Sequence, residues 1–199
     1  MKFIEDQRRV QRLRDAQRGV FSTADLRSAL ADRHPAALGR RIRKLVEEEV
    51  LTRFTRGFYV AQEFSLPVLS QRIAPESCIS FETILARETV IGPKPERRVV
   101  ATKAGPSRRY EARGFVIEHM RVSPDLMFGC EGVDGVRTAH VEKAVLDVLY
   151  FHLRGRRYSF DIYSDMNLGR LDRARLKEYL GRYANPKFRA FAEKVLEIG

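Results

Sequence analysis

The segment from residue 35 to residue 49 constrains the fold of this chain more than any other, because its two faces differ clearly. At about 100° per residue in a helix, its larger apolar side chains fall on one face. They are Leu38, Ile42, Leu45 and Val46. The other face carries Arg40, Arg43 and Lys44, with Arg41 on the flank and the small residues Ala36 and Gly39 at the leading end. The spacing predicts an amphipathic helix that begins at Pro35 and exposes a basic face.

A short basic hairpin is predicted directly after this helix. Two runs of β-branched and aromatic residues flank the turn Thr55-Arg56-Gly57, where Gly57 suits the positive φ of a tight turn. Arg53 and Arg56 place positive charge on a strand and at the tip of this hairpin.

Two further helices are predicted ahead of the basic one. The first carries apolar residues at roughly helical spacing from Phe3 to Ala16 and ends at Gly19. The second has Ser22 or Thr23 as its N-cap and an acidic residue in its first turn. Three helices followed by a glycine-turned basic hairpin are typical of a winged helix-turn-helix. We therefore predict such a domain, which binds double-stranded DNA, in the first 62 residues.

The candidate DNA contacts follow from this prediction, since guanidinium groups of the third helix reach base edges and a wing meets the backbone or the minor groove. The predicted DNA-binding residues are Ser22, Thr23, Ala36, Gly39, Arg40, Arg41, Arg43, Lys44, Arg53, Arg56 and Gly57. The acidic run at 47–49 cannot lie against phosphates, so we expect the front of the helix alone to enter the groove.

The overall charge favours a polyanionic partner. The chain has 37 Lys and Arg against 26 Asp and Glu, which gives a net charge of +11. Each cation that neutralises a phosphate releases a counterion. The first 62 residues hold 14 of the basic and eight of the acidic residues, so more than half of the excess lies in under a third of the chain.

The rest of the chain predicts an α+β protein: the winged helix-turn-helix (1–62), a linker with a short helix (63–78), and a mixed α/β domain (79–199) with a small sheet and a helical C-terminus. Strands are predicted at 98–102, 115–122 and 135–139, and helices at 141–153, 172–183 and 186–197. Ser80 is predicted to cap a helix, and Lys143 and Asp147, four residues apart, to form an ion pair.

No motif for catalysis or for cofactor binding is present. The chain lacks a phosphate-binding glycine loop, a nucleophile elbow and metal-ligand spacing of Cys or His. The polar groups that could suggest chemistry are Glu131, Asp134 and His140, and the pair Asp161 and Asp165. We interpret both sets as loop and capping residues, and expect a protein that is not an enzyme and uses no cofactor and no metal.

The N-terminal residues MKFIEDQRRV form no apolar signal region, and no stretch approaches ~18 consecutive apolar residues. We therefore expect a cytoplasmic protein that does not interact with a membrane. Cys78 and Cys130 lie far apart in apolar sequence, so in that compartment we expect reduced core residues instead of a disulfide or a metal pair.

Three motifs in this order resemble the AbiEi antitoxins of bacterial abortive-infection toxin–antitoxin systems. They are RGFYV at 56–60, ISFETIL at 79–85 and VEKAVLDVLY at 141–150. The resemblance implies that the winged helix binds inverted repeats at its own promoter and represses it. It also implies that the second domain counteracts a nucleotidyltransferase-like toxin. The DNA contacts that it supports are Arg40, Arg41, Arg43, Lys44, Arg53 and Arg56.

Two alternatives remain for the C-terminal domain, which could be nuclease-like or could sense a ligand in an effector pocket. The oligomeric state is also open. One winged helix covers few base pairs, so an inverted repeat needs two copies, which could be monomers in solution that pair on the DNA.

Overall fold

A computed structural model of the chain describes residues 2–93 and 97–198 and has an α+β fold. The helices are α1 (Lys2–Leu13), α2 (Thr23–Leu30), α3 (Pro35–Glu47), α4 (Leu66–Ile73), α5 (Glu82–Arg87), α6 (Val141–His152), α7 (Arg173–Gly181) and α8 (Pro186–Leu196). The strands are β1 (Val20–Ser22), β2 (Thr52–Thr55), β3 (Phe58–Val60), β4 (Cys78–Ile79), β5 (Arg98–Lys103), β6 (Arg108–Ala112), β7 (Phe115–Arg121), β8 (Cys130–Val133) and β9 (Val136–Ala139). Short 3₁₀ turns cover Pro124–Leu126 and Leu168–Arg170.

The N-terminal part contains helices α1 to α3 and an antiparallel sheet of order β1-β3-β2. Its apolar cluster includes Leu26, Leu38 and Ile42, which is the face of α3 that the periodicity predicts to be buried. Because successive strand residues point to opposite faces, Phe21 belongs to this cluster whereas Val20 belongs to the larger cluster of the remaining chain. The first sheet therefore packs against both hydrophobic clusters.

The second sheet has the order β6-β7-β5-β4-β9-β8, with parallel pairs β5–β7 and β4–β9 and antiparallel pairs elsewhere. Strands β6 and β8 lie outside the three segments for which strands are predicted. These polar or glycine-containing segments become strands because they pair with β7 and β9, a tertiary effect that overrides weak local preference.

Helix α6 is buried along nearly its whole length, including Glu142, Lys143 and Asp147. The predicted ion pair between Lys143 and Asp147 is confirmed, and both side chains are 1% exposed. The prediction that Ser80 caps a helix is wrong. The N-cap of α5 is Phe81, and Ser80 Oγ instead donates a hydrogen bond to Asp147 Oδ2 at 2.6 Å.

The prediction that both cysteines are reduced is also wrong, because Cys78 and Cys130 form a disulfide. The sheet brings β4 and the start of β8 together across 52 residues of sequence, with a Cα–Cα distance of 6.2 Å that suits a disulfide. The expected cytoplasmic location, on which the prediction of reduced cysteines is based, does not indicate that the fold brings these two residues together. Within the described residues, no helix is long and apolar enough to cross a membrane.

Candidate nucleic-acid interface

Helix α3 presents the predicted basic face to solvent. Leu38, Ile42 and Leu45 are buried on its inner side. The exposed side carries Ala36, Gly39, Arg40, Arg43 and Lys44. Pro35 occupies the first turn, where its missing N–H costs no helical hydrogen bond. The helix thus offers guanidinium groups beside a stretch of small side chains.

A depression of about 420 Å³ lies between α2, α3 and the β2–β3 hairpin. Its wall includes Arg27, Gly39, Arg43, Arg53 and Tyr59, and no acidic residue of the described chain lines it. We call Arg27, Arg43 and Arg53 the depression arginines. They come from three different elements, so the positive charge around the depression is greater than the arginine and lysine residues of α3 alone would provide.

The depression arginines, together with Arg40 on α3 and Arg56 at the hairpin tip, are exposed. Their guanidinium groups make no hydrogen bond and no ion pair with residues 2–93 or 97–198. The charge of a guanidinium without a protein carboxylate is not compensated within the fold, and its five donors are available to a phosphate or a base edge. This arrangement suits an extended polyanion better than a small neutral ligand.

Arg27 was missed by the sequence analysis. It lies on α2 and not on the predicted recognition helix, and a single arginine on a short helix is an ordinary surface residue. The signal that could have identified it is its position four residues after Thr23, on the same side of α2 as a residue already predicted to contact DNA.

Arg41 differs from its neighbours on α3, because its side chain is 14% exposed and bonded to two carboxylates. Its Nε lies 2.8 Å from Asp6 Oδ2, its Nη2 also bonds Asp6, and its Nη1 lies 2.9 Å from Asp32 Oδ2. The hydrogen bond to Asp6 raises the pKa of Arg41, and the hydrogen bond from Arg41 lowers the pKa of Asp32. The structure therefore uses Arg41 to hold α1 and the α2–α3 loop against α3.

Ser22, Thr23 and Gly57 join α2 to the hairpin. Ser22 is the N-cap of α2, and its Oγ accepts a hydrogen bond from the Asp25 backbone N–H at 3.1 Å. The Thr23 N–H and hydroxyl both donate to the Gly57 carbonyl, at 2.9 and 3.3 Å. Gly57 has φ +82°, a region that favours glycine. These predicted site residues fix the hairpin tip beside the α2 N-terminus.

Lys44 completes the set of predicted contacts. Its ammonium group lies 5.2 Å from the centre of the Phe3 ring of α1 and forms a cation–π contact with it. The Lys44 side chain is nevertheless exposed to solvent.

Four of the polar residues considered for chemistry, Glu131, His140, Asp161 and Asp165, form hydrogen bonds or ion pairs with other protein groups. His140 is the N-cap residue of α6, with Nδ1 2.6 Å from the Tyr179 hydroxyl and Nε2 3.5 Å from Glu131. The Asp165 carboxylate accepts a hydrogen bond from the Asp161 backbone N–H at 2.8 Å. In the part of the chain that the structure describes, no group of three or more His, Cys, Asp or Glu side chains could hold a metal ion.

No protein-family model and no curated protein matches this chain. Its α+β fold is similar to that in the crystal structure of the RV2827C protein from Mycobacterium tuberculosis. The TM-score is 0.62 and the sequence identity 15%, over 95% of this chain and 75% of that one. At this identity the likeness concerns the fold alone.

Proposed function

We propose that the first 62 residues are a winged helix-turn-helix that binds double-stranded DNA. Helix α3 enters the major groove, and the β2–β3 hairpin is the wing. The observation that carries this proposal is the depression, since three arginines from α2, α3 and the hairpin surround it without a carboxylate. Such a surface neutralises phosphates along a duplex and releases their counterions.

The contacts divide by position. Arg40 and Arg43 are on the exposed face of α3, where a bidentate guanidinium reads a guanine edge. Gly39 has open space where a side chain would start, which lets the DNA approach the helix closely. Arg27, Arg53 and Arg56 lie on the flanking elements and bind the sugar-phosphate backbone. We do not include Arg41 among the DNA contacts, because its guanidinium group is paired with the carboxylates of Asp6 and Asp32.

The biological role we propose is that of a repressor and antitoxin of a toxin–antitoxin system. The support is the resemblance to AbiEi antitoxins, which implies binding to inverted repeats at the protein's own promoter and protection from a nucleotidyltransferase-like toxin. Two copies bind such a repeat, one on each half-site. The winged helix supplies repression, and the remaining chain supplies protection.

The first experiment selects duplexes from a random-sequence pool with the full chain. We expect a preferred sequence, and we expect Arg40→Gln with Arg43→Gln to lose that preference at about 1–3 kcal/mol per base contact. The matched control is Arg157→Gln with Arg170→Gln, which removes the same charge from exposed positions of the second region. If the Arg40 and Arg43 variant selects as sharply as the control, α3 is not the recognition helix.

The second experiment concerns protection. The chain is co-expressed in bacteria with a nucleotidyltransferase-like protein encoded beside its gene, and growth is measured. We expect the wild type to restore growth, and the Arg40 and Arg43 double variant to do so equally, because protection belongs to the second region. Failure of the wild type to restore growth would contradict the antitoxin role and leave the DNA-binding proposal to the first experiment.

A further inference from the structure

Arg72 of α4 connects the second region of the chain to the proposed DNA-binding surface. Its Nη1 donates to the Val20 carbonyl and to Asp25 Oδ2, both at 2.9 Å, and its Nη2 bonds Gln17 Oε1. One guanidinium therefore holds three groups of the N-terminal part. Both members of the Arg72–Asp25 ion pair are less than one-third exposed, so water screens the pair only in part.

Asp25 in turn closes the start of α2. Its Oδ2 accepts hydrogen bonds from the Ser22 backbone N–H at 2.7 Å and from the Ser22 hydroxyl at 2.9 Å. The next residue, Thr23, binds the carbonyl of Gly57 at the hairpin tip. Arg72 is thus a positioning residue. It sets the α2 N-terminus, and through it the wing, relative to the rest of the molecule.

On its other side α4 is held by the β8–β9 hairpin. The Arg137 N–H donates to Gln71 Oε1 at 2.7 Å, and Arg137 Nη1 donates to the Glu76 carbonyl at 3.1 Å. The inner face of α4 has an independent anchor, because the buried hydroxyl of Ser70 lies 3.0 Å from His119 Nε2. The contact of Ser70 with His119 holds α4 on the core without involving the β8–β9 hairpin.

The β8–β9 hairpin is joined to the sheet by a short strand and by the disulfide. Strand β4 has two residues and meets β9 at the single register pair Ile79↔Thr138. The Cys78–Cys130 bond links β4 to edge strand β8 covalently. Cys78 is fully buried and Cys130 is half-buried, so a reductant reaches the bond from the Cys130 side.

We infer that the Cys78–Cys130 disulfide regulates DNA binding, through the β8–β9 hairpin and Arg72. The inference rests on the proposed function. In the step, a dithiol thiolate attacks the Cys130 sulfur and Cys78 leaves as a thiolate that takes up a proton. The second thiol of the reductant then resolves the mixed disulfide. Two protein thiols form, and the dithiol becomes a disulfide. Reduction loosens the hairpin, frees Arg72 and lowers DNA affinity.

The first test measures the Kd for a duplex selected by the oxidised wild-type chain, before reduction, after dithiothreitol and after reoxidation. We expect reduction to weaken binding by about fivefold or more, as a typical coupling between sites does, and reoxidation to restore it. The Kd of the double variant Cys78→Ala with Cys130→Ala should equal that of the reduced wild type and should not change when dithiothreitol is added. Equal affinity in both redox states overturns the inference, and so does loss of binding together with the helical circular dichroism signal. A chain that selects no duplex when oxidised refutes the proposed function instead.

The second test compares Arg72→Gln with Arg14→Gln. Arg14 also joins the N-terminal part to the segment before α4, but its partner Glu63 is exposed, so the pair contributes little. We expect Arg72→Gln alone to weaken binding and to speed hydrogen exchange at the Thr23 and Asp25 amides, while amides of α6 stay protected. An equal loss of affinity in both variants overturns the positioning role of Arg72, since the loss of one positive charge at either position would then explain the weaker binding.

Discussion

The depression arginines and the three arginines around Glu118 of β7 have opposite surroundings. The depression arginines have no carboxylate partner in the described chain. Arg98 of β5, Arg109 of β6 and Arg156, which follows α6, all bind Glu118 of β7, at 2.6–2.9 Å. Arginines of the first set are available to a polyanion, whereas those of the second are neutralised within the fold. What distinguishes the depression from the cluster around Glu118 is therefore whether the guanidinium groups are paired with carboxylates.

The largest effect is expected within α3 itself, where Arg40 and Arg41 are adjacent but used differently. Arg41→Gln leaves Asp6, 3% exposed, without its partner, and should lower the free energy of unfolding by about 3 kcal/mol. Arg40→Gln should change it by less than about 0.5 kcal/mol, because the side chain is exposed and unpaired. Urea unfolding measures both. Equal free energies of unfolding for the Arg41→Gln and Arg40→Gln variants would mean that the ion pairs of Arg41 do not stabilise the packing of α1.

A smaller loss is expected from Glu118→Gln, which leaves Arg98, Arg109 and Arg156 without their shared carboxylate. We expect a loss of about 2 kcal/mol, because Arg98 and Arg109 are partly exposed and water compensates them in part. DNA affinity, measured where the variant is fully folded, should stay unchanged. A loss of DNA affinity would show that the second sheet belongs to the interface.

The Glu118 contribution also has a pH dependence. Burial by itself would raise the pKa of Glu118, but the hydrogen bonds from Arg156 and Arg98 outweigh burial, so the pKa lies below the ordinary value of 4.5. The ionised form is favoured by folding, so its stabilisation is complete above pH 4.5 and is lost as the pH falls through the lower folded pKa. The stability difference between the wild type and Glu118→Gln should therefore shrink below about pH 4.

Under the proposed DNA-binding function, Arg27→Gln removes one phosphate contact, and because Arg27 is exposed the fold should stay unchanged. We expect a several-fold loss of affinity and a salt dependence of log K that is shallower by about 0.9, the value for one phosphate on B-DNA. Arg157→Gln, at an exposed position of the second region, is the control and should leave the slope unchanged. An unaltered slope in Arg27→Gln would remove α2 from the interface.

The smallest effect is expected from Gly39→Ala. An added Cβ meets no atom within 4 Å, and alanine is the better helix former, so the fold should gain about 0.5–1 kcal/mol. The methyl group occupies the space that we assign to the DNA, so affinity for the selected duplex should fall by a few-fold. Thermal unfolding and a binding titration measure the two effects. A gain in stability with no loss of affinity would place the DNA away from Gly39.

Local patterns in the sequence predict much of the first region. Helix α3 and the hairpin follow from periodicity and turn residues, and Pro35 and Gly57 have the positions that their backbone preferences indicate. The wrong or missing parts depend on distant residues. Asp6, the hydrogen-bonded carboxylate partner of Arg41, lies 35 residues from it in the sequence, and Cys130 lies 52 residues from Cys78. Sequence spacing does not reveal which charges and sulfurs the tertiary fold brings together.

The most direct test of the account compares two triple variants that lose the same charge. One replaces all depression arginines by glutamine, and the other replaces the exposed Arg108, Arg157 and Arg170 of the second region. The measurement is the Kd for a random-sequence duplex at fixed salt. We expect the first variant to bind on the order of 100-fold more weakly than the wild type, at roughly 1 kcal/mol for each of the three lost contacts, and the second to bind nearly as the wild type does. Equal losses in both variants would contradict the account.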